Sequence, residues 1–258
     1  MTQGYPSHQL VIGSLSVEVT VKPIKNLHLS VVPPHGSVRI SAPEGMSPDH
    51  VRAYAIGKLS WIRRQQARLT RQQRESPRQV VERESHHLWG RRLLLQIQET
   101  ETPPRVEAHP RKLVLFIRPG TTTNKRQSIL NNWYREELRR EAHAFLSKWE
   151  KRLNVKSNAL FLQLMTRRWG SCNPVSKNIR INTQLVHKPT ACLEYVILHE
   201  LTHLVISNHG QEFKAILDEA LPDWEARRQL LNSLPIVSVP GNRGYDQQKV
   251  NSHCEIRL

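Results

Sequence analysis

A chain of 258 residues, 38% hydrophobic and 23% charged, has the make-up of an ordinary globular protein and not of a disordered or fibrous one. It is long enough for one large domain or two small ones, with a core that needs no disulfide or metal as a staple. The formal charge of +16 and pI near 10.3 attract polyanions, either nucleic acid or an anionic membrane surface, although a solvated arginine-rich surface accounts for the same excess.

From Gln9 to Ala42 the residues alternate with a strand period: Leu15, Val17, Val19 and Val21, then Leu27, Leu29 and Val31, then Val38 and Ile40. With the turn signal Pro33-Pro34-His35-Gly36, these runs predict a small antiparallel sheet. Ser47-Pro48 opens a helical stretch carrying Val51, Tyr54, Ala55, Leu59 and Ile62. Arg63, Arg64, Arg68, Arg71 and Arg74 make its far end basic, first of all as a solvated helix end. A polar connector over 76–87 leads to two strands, 88–97 and 112–117, separated by Thr102-Pro103-Pro104.

A long amphipathic helix runs from about Lys125 to Leu153, with Ile129, Leu130, Trp133, Leu138, Ala142, Phe145, Leu146 and Trp149 as its stripe. Strands over 159–165 and 178–185 can pair across a loop containing Asn173-Pro174. Pro189-Thr190 starts a helix buried through Leu193, Val196, Ile197, Leu201 and Leu204 and ended by Ser207-Asn208. Helices from Gln211 and from Trp224 follow, and a loosely ordered tail begins near Pro235. The class is α+β. A β-rich part with one basic helix covers 1–124, a catalytic domain 125–234 and the tail 235–258.

The three cysteines, Cys172, Cys192 and Cys254, are few and widely spaced, which argues against a disulfide framework and for a reducing compartment. Leu10-Val11-Ile12 is soon interrupted by Gly13, Ser14 and Ser16, and no stretch approaches membrane-spanning length. Cytoplasmic residence is the expectation.

Chemistry is concentrated in His199-Glu200-Leu201-Thr202-His203. On a helix the two histidines stand one turn apart on one face and can share a metal ion, while Glu200 points beside them toward an activated water. A catalytic zinc takes three protein ligands and keeps one position open. His209, just past the helix end, is the best third candidate, with Glu212, Asp218, Glu219 and Glu225 as rivals. The histidine spacing equals that of metzincins, but Ile206 replaces their turning glycine and no methionine follows the motif. Arg168 and Tyr195 are candidates for a substrate or oxyanion contact, with a structural role equally open; Trp169 reads as a packing residue.

The chain resembles the YgjP-like metallopeptidases, relatives of the SprT-like zincins. The carrying segments are Arg168-Trp169-Gly170-Ser171-Cys172, Asn178-Ile179-Arg180-Ile181-Asn182, Tyr195 through Leu204, His209-Gly210-Gln211-Glu212-Phe213 and Leu221-Pro222-Asp223-Trp224. The likeness is strong over about 125–234 and weaker in Val38 to Pro43, in the helix with Trp61-Ile62 and in Leu88-Trp89-Gly90. Where family members carry a basic Ser-Lys-Arg type stretch, this chain has Pro23-Ile24-Lys25-Asn26. The resemblance implies a zincin-like α+β fold, one Zn2+ ion and His209 as third ligand.

The leading expectation is a zinc-dependent metallopeptidase that cleaves peptide bonds with a zinc-activated water and Glu200 as general base. A hydrolase of nucleotide phosphoanhydrides uses the same metal chemistry and suits the arginine content. The third alternative is a DNA-associated SprT-like protease or nucleic-acid-binding protein contacting polyanions through Arg63 to Arg78.

Overall fold

In a computed structural model the chain is described over residues 5–32, 36–71, 74–75, 78–165, 168–234 and 236–237. It divides into two compact units, Met1–Arg74 and Glu75–Leu258. The sequence draws its boundary at 124/125. In the structure the strands between 85 and 117 share one core with the helices that follow them.

In the first unit, β1 (Ser7–Ile12), β2 (Leu15–Lys22), β3 (His28–Val32) and β4 (Ser37–Pro43) form a sheet in the order β1-β2-β4-β3. The sheet is mixed rather than antiparallel, because β2 and β4 run parallel with Val17 opposite Val38. Alternation determines which face of a strand is buried, not which strand lies beside it. Val17, Val19, Val38 and Ile40 share a core with Val51, Ala55 and Ile62 of two helices. These are α1 (Pro48–Gly57) and α2 (Leu59–Arg71), where the sequence predicts one continuous stretch. Ser47 caps α1 by accepting from the His50 N–H, with Pro48 in the first turn. Arg63 and Arg64 are exposed. The side chains of Arg68, Arg71 and Arg74, and Pro33-Pro34-His35, lie outside the described residues.

The second unit begins near a two-residue strand, β5 (Arg74–Glu75). Its first sheet holds β6 (Ser85–Leu88), β7 (Arg91–Glu99), β8 (Arg105–Ala108) and β9 (Lys112–Ile117) in the order β6-β7-β9-β8. The strand predicted over 88–97 is interrupted at its start: Trp89 and Gly90 both have positive φ, 53° and 78°, and turn the chain between β6 and β7. Helix α3 (Thr123–Leu153), capped by Thr122 and stopped by left-handed Asn154, buries Leu130, Tyr134, Leu138, Ala142, Leu146 and Trp149.

A second sheet joins β10 (Ala159–Gln163), β11 (Gly170–Asn173) and β12 (Asn178–Asn182) in the order β10-β12-β11. β12 is parallel to β10 and antiparallel to β11. The sequence does not announce β11, since Gly-Ser-Cys-Asn has neither the alternation nor the β-branched residues of a strand. After β12 the chain tightens into a 3-10 turn, Thr183–His187, where a longer strand is predicted. Then come α4 (Thr190–Thr202), α5 (Gln211–Ala220), α6 (Trp224–Ser233) and the two-residue strand β13 (Ile236–Val237). The remainder of the tail, with Cys254, lies outside the described residues.

Helix α4 is the centre of this unit. Every residue from Cys192 to Thr202 is buried, not one side alone, because α3, α5, α6 and the second sheet all pack against it. Apolar residues all round a helix are what such enclosure requires.

Candidate metal centre

His199 lies in the last turn of α4 and His203 is its C-cap. The helix ends at Thr202, earlier than Ser207-Asn208, because a tight turn follows: Leu204 N–H donates to Leu201 O, and the Val205 and Ile206 N–H groups both reach Thr202 O. This turn reverses the chain without the glycine that metzincins place at the position of Ile206. The loop carries His209 back to the helix, so that its Nε2 is 3.0 Å from His199 Nε2, itself 3.2 Å from His203 Nε2.

At most one of these contacts can be a hydrogen bond, since the His199 nitrogen carries at most one proton. His203 Nδ1 donates to Ile206 O at 3.1 Å, which leaves its Nε2 as a bare lone pair facing the group. Ligand nitrogens about 2.1 Å from a tetrahedral ion stand roughly 3.4 Å apart, so the spacing fits one divalent metal ion. Among the described residues these three histidines, with donor atoms within 4.8 Å of one another, are the group able to hold such an ion. Glu212, Asp218, Glu219 and Glu225 do not join it. Asp218 instead accepts from Trp224 Nε1 at 2.7 Å.

All three imidazoles are held neutral, the form that binds metal. Burial pushes His199 well below the usual histidine range, assisted by the adjacent His203 and His209. Burial lowers His203 to about 4 against its bond to Ile206 O, and lowers His209 with help from the Arg228 charge.

Two residues shape the centre that the sequence reading left out. The Phe213 ring, buried on α5, lies 4.8 Å from each of the three imidazole rings and forms their apolar floor. In the sequence it stands only as the last residue of the segment His209-Gly210-Gln211-Glu212-Phe213. Gly170 of β11 lies against Glu200, whose side chain is fully buried. Asn182 fixes the approach to that strand: its Nδ2 donates to the carbonyls of Met165 and Arg168, both at 2.8 Å.

Of the remaining candidates, Tyr195 is buried with its ring edge-on to His199 at 5.9 Å. Burial, and after it the opposing effects of Arg228 and Glu200, keep its phenol protonated far above neutral pH. Arg168 is half-buried at the entry to β11. Helix α4 is anchored at its other end by Glu194, which accepts from Lys148 and Arg227, each at 2.6 Å.

A buried helix presenting two histidines, a third folded back from the following loop and a glutamate between them define a metal-binding site of hydrolase type. The model of the family described as YgjP-like, metallopeptidase domain, matches residues 25–234, and the chain belongs to that family. It is a metallopeptidase family, and the α+β class with a β-rich first part expected from the sequence is the one the structure has. No curated protein matches the chain. Among solved structures it is similar to the metallopeptidase zymogen of Pyrococcus abyssi abylysin, at 14% identity over 35% of this chain and 90% of that one, TM-score 0.33. It is also similar to the metallopeptidase zymogen of Methanocaldococcus jannaschii jannalysin, at 24% identity over 35% of this chain and 87% of that one, TM-score 0.33. No helix among the described residues is long and apolar enough to cross a membrane.

Proposed function

We propose that this protein is a zinc-dependent peptidase, with His199, His203 and His209 as ligands and Glu200 as general base. The observation that carries the reading is the convergence of three imidazoles on one point beside a buried glutamate. An all-imidazole set suits zinc, and zinc bound there supplies a Lewis acid that polarises the scissile carbonyl and brings a water's pKa toward neutrality. Glu200, as a carboxylate, takes the proton of the attacking water and hands it to the leaving amine nitrogen. The Tyr195 hydroxyl, kept protonated by burial, and the Arg168 guanidinium are the donors proposed for the developing oxyanion.

Peptide rather than phosphoanhydride is favoured by β11. Among the described residues this strand pairs only with β12 in its sheet, so its other edge can take an extended substrate strand, and Gly170 places that edge next to Glu200. Cys192, a buried free thiol on α4, supports a reducing, cytoplasmic setting. The net charge of +16 and the exposure of Arg63 and Arg64 support a polyanion contact on the first unit, to be checked as nucleic-acid binding that weakens steeply with salt.

The test is metal removal and return. Hydrolysis of an unfolded protein such as reduced casein should cease after chelation and recover with one equivalent of zinc, while nucleoside triphosphates stay intact. Triphosphate hydrolysis with casein untouched would replace this reading by the phosphoanhydride one.

A further inference from the structure

We infer that Trp224 is a positioning residue of the metal centre: stacked on Tyr195, it holds that ring edge-on against His199 and so sets the direction in which the imidazole faces the ion. The inference rests on the zinc-site reading and names what orients one of the three ligands.

A ligating histidine is ordinarily aimed by an acceptor on its second nitrogen. His203 has one, since its Nδ1 donates to Ile206 O at 3.1 Å. His199 Nδ1 is buried and has no hydrogen-bond partner among the described residues, so its ring is turned by packing instead. On one side lies Phe213, 4.8 Å away at 68°, a neighbour that His199 shares with the other two imidazoles. On another lies Tyr195, 5.9 Å away at 71°, and among the described residues this ring meets His199 but neither His203 nor His209.

Tyr195 stands one turn before His199, so α4 brings the two residues to one face, and a further group must hold the Tyr195 ring at its angle. Trp224, the first residue of α6, does so: it is buried, and its ring stacks offset on Tyr195 with centroids 6.2 Å apart and planes 18° from parallel. The indole is itself tied down, because Nε1 donates to Asp218 Oδ1 at 2.7 Å and the backbone N–H donates to Leu221 O at 2.9 Å. Asp218 and Phe213 both belong to α5. That helix therefore secures both aromatic walls of His199, Phe213 directly and Tyr195 through Trp224.

Metal binding to the full chain tests this without recourse to activity. Zinc affinity is taken from competition with a chelator, and ligand geometry from the visible absorption of cobalt(II) in place of zinc. Trp224→Leu should weaken zinc binding by about tenfold, the scale of a lost outer contact, and shift the cobalt band. Trp224→Phe, which returns a ring to the stack, should restore most of both, and Tyr195→Phe, which keeps the ring facing His199, should leave both as in the wild type. Leu231→Ala opens a cavity on the same helix about 10 Å further along and should lower the unfolding midpoint without moving either readout. A Trp224→Leu protein with wild-type band and affinity, or an equal change in Leu231→Ala, overturns the role and leaves the zinc-site reading standing. Should Trp224→Leu not fold, Asp218→Ala loosens the indole instead, and an unchanged cobalt band there overturns the role likewise. A wild type that takes up neither metal removes the zinc-site reading as well.

Discussion

Gly170 lies so close to the Glu200 carboxylate that a Cβ built on it would stand 2.5 Å from Oε1 and 2.8 Å from Cγ. The contact joins β11 to α4, with β12 and a 3-10 turn intervening in the chain, and it leaves the carboxylate one position between strand and helix. In Gly170→Ala the added methyl must push Glu200 aside. Peptide hydrolysis is expected to fall at least about a hundredfold, the scale of a misplaced general base, with zinc still bound at one ion per chain. Overpacking should also cost about 1–3 kcal/mol in urea unfolding. An alanine variant with full activity would show that this contact does not position Glu200.

Phe213 touches all three imidazoles, and its loss opens a cavity directly beneath the centre. Phe213→Ala should lower the unfolding free energy of the metal-free protein by about 3–5 kcal/mol. It should also weaken zinc binding, because the rings lose the wall that orients them; His199 has no hydrogen-bond partner on its Nδ1 among the described residues to compensate. Competition with a coloured chelator reads the affinity. Phe213→Leu, which refills most of the volume, should recover most of both losses.

Acid should unfold the second unit well above the ordinary carboxylate range. His187 is half-buried, with Nδ1 donating to His87 O, and desolvation, followed by the nearby Arg78 charge, lowers it to about 3. An unfolded imidazole titrates near 6.5, so between about 6.5 and 3 the unfolded chain binds the extra proton. The stabilisation is complete above about pH 6.5 and declines as pH falls through that window. Glu194 adds the same sign: burial raises it, but Lys148 and Arg227 outweigh burial and hold it below its usual value, so its contribution is also lost on acidification. Urea midpoints in the presence of chelator should fall from pH 7.5 to pH 5, with a shallower fall in His187→Gln. A flat profile would contradict both assignments.

The parts of the site that a helix fixes were legible in the sequence. His199, Glu200 and His203 follow from the spacing, and the enclosing apolar residues fix where they sit. His209 was legible only as the best of several candidates, because its approach depends on how the chain turns after Thr202, and no glycine or proline marks that turn. Gly170 and Phe213 were quoted in the motifs, but their roles depend on contacts between segments far apart in the chain, which periodicity does not encode. For the same reason strand neighbours were legible only in part: the strands over 159–165 and 178–185 were expected to pair, as β10 and β12 do, but the parallel pairings of β2 with β4 and β7 with β9 are non-local and no alternation announces them. β11 escaped for a different cause, since its residues lack strand propensity and its pairing with β12 forms it.

Glu200→Gln tests the central claim most directly, with zinc content and peptide hydrolysis measured on the same sample. The amide keeps the size of the buried side chain and cannot serve as the base. Zinc should remain at one ion per chain while kcat falls by about three orders of magnitude or more. Full activity with zinc bound would contradict the assignment of Glu200 as the base.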